Sequence, residues 1–433
     1  MDIIKELPLS LRCKILYDYF TPNELCQLRL VSREWNGIVT CNDIWKRLCV
    51  ECNILPADYT FPEANDIPLY HDTFRRAMTT IYNWKYMRCK KTEVKYHKGP
   101  VLSLIMIDKT RVFSGDIDGS LHNWNMESNQ HQVVKYHASH IASMAHSSGI
   151  LATGSSDHSI TLVSVYDFKL IKRLLSHEEP VTALTFGSSS STLFSGSTDR
   201  TIRIWDTDSG NCLRILHGQD NIITSLIYSA KLTSQYFMAE EEYEMTEGNE
   251  EGWLISGSND HSLFLWDLKG SLVDDAPEVV RTIMDMRGPI TALAMFDESH
   301  CSSVRNTNKS KDTTFTTMRH PINVPPFIVA AAQFDTTLSL WSLPTFSYTK
   351  VNAPNRHQST IWSISTAIIH SKIITASGDK KVIIWDLKSP REMHTLGGFD
   401  SAVVSSSVGP LEDGICFGTE KGSLVFFDLQ EFM

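Results

Sequence analysis

The sequence predicts a multidomain chain: a small all-α segment followed by an all-β array of seven four-stranded units. Three observations carry this. Histidines at 97, 137, 177 and 217 stand 40 residues apart, each ahead of an apolar run (HKGPVLSL, HASHIASM, HEEPVTAL, HGQDNIITSL). A fixed ruler then recurs, with an aspartate four residues after a Ser or Thr and six before an aromatic or apolar residue. Finally, the apolar period of the first ninety residues is helical, whereas T-I-R-I-W at 201–205 alternates with the period of two that marks a strand.

The ruler fits SGDIDGSLHNW (114–124), TGSSDHSITLV (153–163), SGSTDRTIRIW (195–205), SGSNDHSLFLW (256–266) and TASGDKKVIIW (375–385). Weaker copies stand at AAQFDTTLSLW (331–341) and GTEKGSLVFF (418–427), making seven units. Turn residues divide each unit into four short strands, as in VTALTF, TLFSGS, TIRIW and NCLRILH. With the Trp-Asp endings at 205–206, 266–267 and 385–386, this pattern resembles the WD-repeat family and implies a seven-bladed β-propeller over 92–433. Its last unit ends after a third strand, and the unmatched TEVKYH (92–97) is expected to supply the fourth, tying the ring's ends together.

One unit holds Ser195, Asp199 and, just upstream, His177, the components of a hydrolase triad. Such a triad is needed once, whereas a structural brace is needed in every blade. In the WD-repeat family the resemblance implies a series of hydrogen bonds through His, Ser/Thr, Asp and Trp. The expected sets are His97/Ser114/Asp118/Trp124, His177/Ser195/Asp199/Trp205, His217/Ser256/Asp260/Trp266 and His357/Thr375/Asp379/Trp385. The second unit loses its tryptophan (Val163), the fifth its histidine and serine, and the seventh nearly everything, so packing is expected to hold those blades.

In LPLSLRCKILYDYF the apolar residues at 11, 15, 16 and 19 share one helical face. TPNE (21–24) is a helix start, with Thr21 as cap, Pro22 first and Glu24 completing a capping box. Ser32 and Asp43 are candidate caps of two further helices bearing Trp35 and Trp45. The order LP…IL…TPNEL…LRLVSREW…IW resembles the F-box, placed at 1–50. The resemblance implies docking on a Skp-family adaptor and, through it, a cullin–RING ubiquitin ligase. Leu7, Pro8, Ile15, Leu16, Leu30, Val31 and Trp35 are the adaptor-facing or adaptor-supporting candidates, with Leu16 and Trp35 equally readable as internal core. A helical connector fills 51–91, where Tyr70, Phe74, Ala77, Ile81 and Trp84 form one stripe.

Frequent contact positions in the WD family are the residue before the turn aspartate and one near the start of the first strand. Here the first set is Ile117, Ser156, Thr198, Asn259, Phe334, Gly378 and Glu420. The second is Leu102, Ala142, Thr182, Thr224, Thr291, Trp362 and Val404. Neither contains a lysine or arginine, unlike the arginine-lined face of F-box propellers that read phosphorylated segments; Arg200, Lys380 and Lys381 lie nearby. Phe334 and Trp362, with Leu102 and Ile117, are the candidate substrate-binding cluster. Insertions at 239–251 (acidic) and 298–326 (polar) fall between first and second strands.

Residues 97–433 carry 26 basic and 38 acidic side chains, a poor match for phosphate backbones, so no nucleic acid partner is expected. Neither a secretory signal nor a membrane span is expected. Nine scattered cysteines fit free thiols in the cytoplasm or nucleus, and the lone Cys49-x-x-Cys52 reads as ordinary helix-end residues. No metal set, cofactor or catalytic residue is expected. The reading is a non-enzymatic substrate receptor of a ubiquitin ligase holding a protein substrate. Its rivals are an adaptor-bound scaffold and a propeller hydrolase, for which no non-repeated cluster of acids or metal ligands stands out.

Overall fold

The computed structural model describes residues 69–128, 130–230, 252–268, 278–283, 288–297, 327–334, 336–342, 347–350, 357–367, 371–387 and 391–430. Before residue 69 it describes 16, 22–28, 30–31, 39 and 42–51. The chain divides into two compact units with a boundary between Arg88 and Cys89.

In the first unit, helix α1 (Pro22–Leu28) starts at the proline that the capping signal placed first, because proline's fixed φ and missing N–H suit that position. Leu30 and Val31 close its end by donating to the carbonyls of Gln27 and Leu28 (3.0 and 3.1 Å). Helix α2 (Asn42–Glu51) begins one residue before Asp43, which therefore lies inside the helix and does not cap it. Helix α3 (Leu69–Tyr86) buries Tyr70, Phe74 and Trp84, with Ala77 and Ile81 half-buried along the same stripe. Leu16, Leu25, Val39, Ile44, Trp45, Leu48 and Cys49 form one apolar core with Tyr70 and Phe74. That core runs across residue 51, so α3 is part of the amino-terminal unit's interior. The Trp45 indole donates to the Val39 carbonyl (2.5 Å), and the Cys49 thiol donates to the Tyr70 carbonyl (3.5 Å). Ser32 and Cys52 lie outside the described residues.

Among its described residues the second unit is all β: seven four-stranded antiparallel sheets, here called blades in chain order. The third is representative, with Val181–Phe186 innermost, then Thr192–Ser197, Ile202–Asp206 and Cys212–Leu216 outermost. Burial falls outward: strands two and three are buried almost throughout, while the outer strand alternates and meets solvent. Each innermost strand touches those of the two neighbouring blades, and Val403–Val408 touches Ser103–Met106, so the contacts close on themselves. At the seam Lys90–Lys95 pairs antiparallel with Ser423–Asp428, Val94 opposite Leu424, and becomes the outer strand of the last blade. The Ser405 hydroxyl donates to the Val101 carbonyl (2.5 Å) across the same seam.

The turn between second and third strands shows how strictly the unit repeats. The residue after the turn position has left-handed φ in all seven blades: Gly119, His158, Arg200, His261, Thr336, Lys380 and Gly422. Five of these are not glycine, a conformation that costs about 1–2 kcal/mol each and persists only where the surroundings impose it. At Gly119 a Cβ would sit 2.3 Å from the His137 carbonyl oxygen, so close approach as well as φ requires glycine there.

Candidate functional site

The polar groups beside these turns resolve the triad question. In blade three His177 Nδ1 lies 2.7 Å from Asp199 Oδ2 and Nε2 lies 2.7 Å from Ser195 Oγ, which also accepts from the Trp205 indole (2.8 Å). Asp199 in turn accepts from the Thr201 amide (2.9 Å) and hydroxyl (2.6 Å), fixing the turn. Blade six repeats the arrangement through Asp379, His357, Thr375 and Trp385 at 3.0, 2.8 and 2.8 Å. Ser195 and Thr375 are wholly buried and already engaged, so neither is presented as a nucleophile.

Two expected sets need correction. In blade one His97 meets Ser114 (2.9 Å) and Trp124 donates to Ser114 (3.0 Å), but His97 Nδ1 faces Asp116 Oδ2 at 3.3 Å. Asp118 accepts from the Ser120 amide (2.9 Å) and serves the turn. In blade four His217 is exposed, and the buried Gln219 takes its place, its amide reaching the Ser256 and Ser262 carbonyls (3.4 and 3.3 Å). Ser256 accepts from Trp266 (2.8 Å), and Asp260 accepts from the Asp220 amide (2.8 Å). The brace residue stands four positions before a buried apolar residue at, or in blade one just ahead of, the start of the inner strand (Val101, Ile141, Val181, Ile223, Ile361). That anchor picks Gln219, whereas spacing by forty picks His217.

The degenerate blades show substitution by chemistry. In blade two Thr161 bonds Thr153 (2.6 Å), replacing the missing indole, while His137 keeps Asp157 (3.2 Å) and Thr153 (2.9 Å). In blade seven Phe399, Phe417 and Phe427 occupy the His, Ser and Trp positions, with ring centroids 5.8–6.4 Å apart. An apolar trio there leaves no donor to satisfy.

Burial pushes the pKa values of His137, His177 and His357 down, against the opposing pull of Asp157, Asp199 and Asp379. Arg173, Arg203 and Lys381 respectively add to the lowering. A folded value below the unfolded one means the unfolded chain binds more protons as pH falls below about 6.5, so stability drops there. The expected loss is up to about 1.4 kcal/mol per pH unit for each of the three histidines. Urea midpoints at pH 7.5 and 5.5 check this; equal midpoints would contradict it. The depressed carboxyl of Asp157, at about 2, acts only in a separate window below about pH 4.

The rim candidates are placed by two backbone devices. In six blades the inner-strand ladder skips one residue, a bulge at Ala142, Thr182, Thr224, Thr291, Trp362 and Val404. A bulge takes its residue out of the ladder register and re-aims the side chain. The amides of Ser156, Thr198, Asn259, Phe334, Gly378 and Glu420 donate to carbonyls just before the adjoining strand (2.9–3.0 Å). Blade one lacks both devices, and the Ile117 amide donates instead to its neighbour Asp116 (2.6 Å). Phe334 and Trp362 are 55% and 44% exposed, with ring centroids 6.5 Å apart and planes at 87°. Leu102 and Ile117 are 37% and 48% exposed on blade one.

On the amino-terminal unit, Leu30 and Val31 are 87% and 66% exposed. Leu16 is fully buried in the core, the interior one of its two sequence readings. Leu7, Pro8, Ile15 and Trp35 lie outside the described residues, as do both insertions. No helix among the described residues is long and apolar enough to cross a membrane.

Comparison with known proteins agrees with this anatomy. An F-box-like family model matches residues 4–51, and the WD domain, G-beta repeat model matches 168–206 and 349–386. Human WD repeat and SOCS box-containing protein 1 is 40% identical over 82 residues, 18% of this chain and 20% of its own length. Autophagy-related protein 16 of Arabidopsis thaliana is 22% identical over 282 residues, 60% of this chain and 49% of its own. Cell division control protein 4 of Saccharomyces cerevisiae is 24% identical over 239 residues, 52% of this chain and 25% of its own. The chain thus spans between a fifth and a half of the length of these relatives. It joins an F-box-like amino-terminal segment to a WD-repeat β-propeller.

Proposed function

We propose that this chain is the substrate-recognition subunit of an SCF-type cullin–RING ubiquitin ligase. The F-box-like unit docks a Skp-family adaptor through Leu30 and Val31, and the seven-bladed ring holds a protein substrate against Phe334 and Trp362. The observation that carries the reading is the exposed Leu30–Val31 pair at the end of α1, in a unit whose apolar core is built from other residues. Large apolar side chains that leave their own core vacant of need are suited to anchoring in a partner's groove. The chain contributes proximity and no chemistry of its own, and acts in the cytoplasm or nucleus.

The test is capture of purified adaptor by the full chain, the Leu30→Asp/Val31→Asp variant and the Phe334→Ala/Trp362→Ala variant. The first variant is expected to weaken adaptor binding at least tenfold with unchanged thermal unfolding; unchanged binding overturns the docking face. The second is expected to keep the adaptor and lose co-purifying protein, and an unchanged partner set removes the aromatic pair. Ubiquitin transfer to the captured protein in a reconstituted ligase separates a receptor from an adaptor-bound scaffold.

A further inference from the structure

Blade one departs from its siblings at two buried positions, one of them Asp116, the acid that faces His97. Where blades two, three, four and six have Ser155, Ser197, Ser258 and Ser377, blade one has Asp116. Where blades two, three, four and six have Thr161, Arg203, Phe264 and Ile383, it has His122. Both changes converge on one point. Asp116 Oδ2 lies 3.3 Å from His97 Nδ1 and 3.6 Å from His122 Nε2, and the three atoms lie within 4.8 Å of one another. All three side chains are at least nine-tenths buried. Neither His97 Nδ1 nor His122 Nε2 makes a hydrogen bond of sound geometry, although both are aimed at the same carboxylate oxygen.

Every other polar atom of the cluster is held from outside. His97 Nε2 meets Ser114 Oγ (2.9 Å), and His122 Nδ1 meets His131 Nε2 (2.9 Å). Asp116 Oδ1 accepts from the Ile117 amide (2.6 Å). The His131 ring lies against Trp124, centroids 3.7 Å apart, which fixes its orientation. This is the pattern of ligands whose far atoms are oriented by surrounding hydrogen bonds while the near atoms converge. Ligands about 2.0–2.1 Å from a tetrahedral cation stand about 3.3 Å apart, close to the two separations to Asp116.

We propose that blade one binds a zinc-type divalent cation through His97 Nδ1, Asp116 Oδ2 and His122 Nε2, with water at a fourth position. Two neutral imidazoles and one carboxylate are a borderline donor set that suits zinc better than magnesium or calcium, which favour oxygen alone. The bound ion would neutralise the buried carboxylate and cross-link the segment ahead of the inner strand (His97), the residue just past the second strand (Asp116) and the third strand (His122) of the blade next to the seam.

The test uses the metal-free full chain dialysed against zinc chloride, with Asp116→Ser and His122→Thr, residues that sister blades carry at these positions. Both variants leave the His97–Ser114–Trp124 brace in place. Bound zinc by elemental analysis is expected to be one equivalent higher in the native chain, and zinc is expected to raise its melting temperature alone. Cobalt titration is expected to give tetrahedral visible bands without the near-ultraviolet thiolate band that cysteine ligands produce. Equal zinc in all three chains, no zinc-induced shift in the native chain, or a thiolate band for this equivalent would each overturn the site. Should one variant fail to fold, the other variant and the cobalt spectrum still decide it.

Discussion

Removing Lys90–Lys95 is expected to cost the ring its cooperative stability, because that segment is the outer strand of the blade that joins the chain's two ends. Its loss uncovers the edge of Ser423–Asp428 and strips Val94 from the core containing Val101, Cys416, Leu424 and Phe426. It also removes Lys95, whose ammonium lies 3.3 Å from Asp400. The exposed Lys95 pair contributes little by itself; the main effect is an open, partly apolar edge that invites association. The deletion is expected to lower the melting temperature by more than about 10 °C, given several kcal/mol of lost packing and pairing, and to promote aggregation. A milder variant, Val94→Ala, removes apolar contact with that core and is expected to cost about 1–2 kcal/mol. Calorimetry on both checks the prediction, and a deletion chain that melts like the native one would mean that the seam is held elsewhere.

Trp205→Ala is expected to destabilise the propeller by about 4 kcal/mol, in the range for a large buried aromatic truncated to a methyl. Trp205 is fully buried in one core with Leu174, Leu193 and Phe186 of blades two and three, and its indole completes the Ser195 brace. Trp205→Phe separates the two contributions: it keeps most of the volume and loses the donor, at an expected cost of about 1–2 kcal/mol. Urea unfolding of both variants measures the split. Equal losses would show that the hydrogen bond, not the packing, dominates.

The parts of this fold that were legible beforehand are those set by local chemistry. The turns between strands, the period-two strands and the serine-to-tryptophan ruler lie within a dozen residues of one another, so spacing alone reveals them. The same holds for the start of α1 at Pro22. Errors arose where a partner comes from a distance set by packing. His217 kept its sequence interval, yet Gln219 holds the slot, because a four-residue step from the buried Ile223 governs position and a forty-residue interval does not. Asp118 kept the ruler, yet Asp116 faces His97, because an acid two residues earlier points to the imidazole while Asp118 closes the turn. Leu16 lay on an apolar stripe, but a stripe does not say whether it meets a neighbouring helix or another protein.

Motif order and repeat spacing, through their resemblance to the F-box and WD-repeat families, were enough to expect an F-box-like segment, a WD-repeat array and the strand that joins the ring's ends. Only three-dimensional packing decided which polar groups meet. It replaced a histidine with a glutamine in one blade and three polar brace positions with phenylalanines in another. It also gathered His97, Asp116 and His122 on one point. The reason is physical: backbone periodicity is written in neighbouring residues, whereas a buried polar contact depends on the directions of side chains brought together from separate strands.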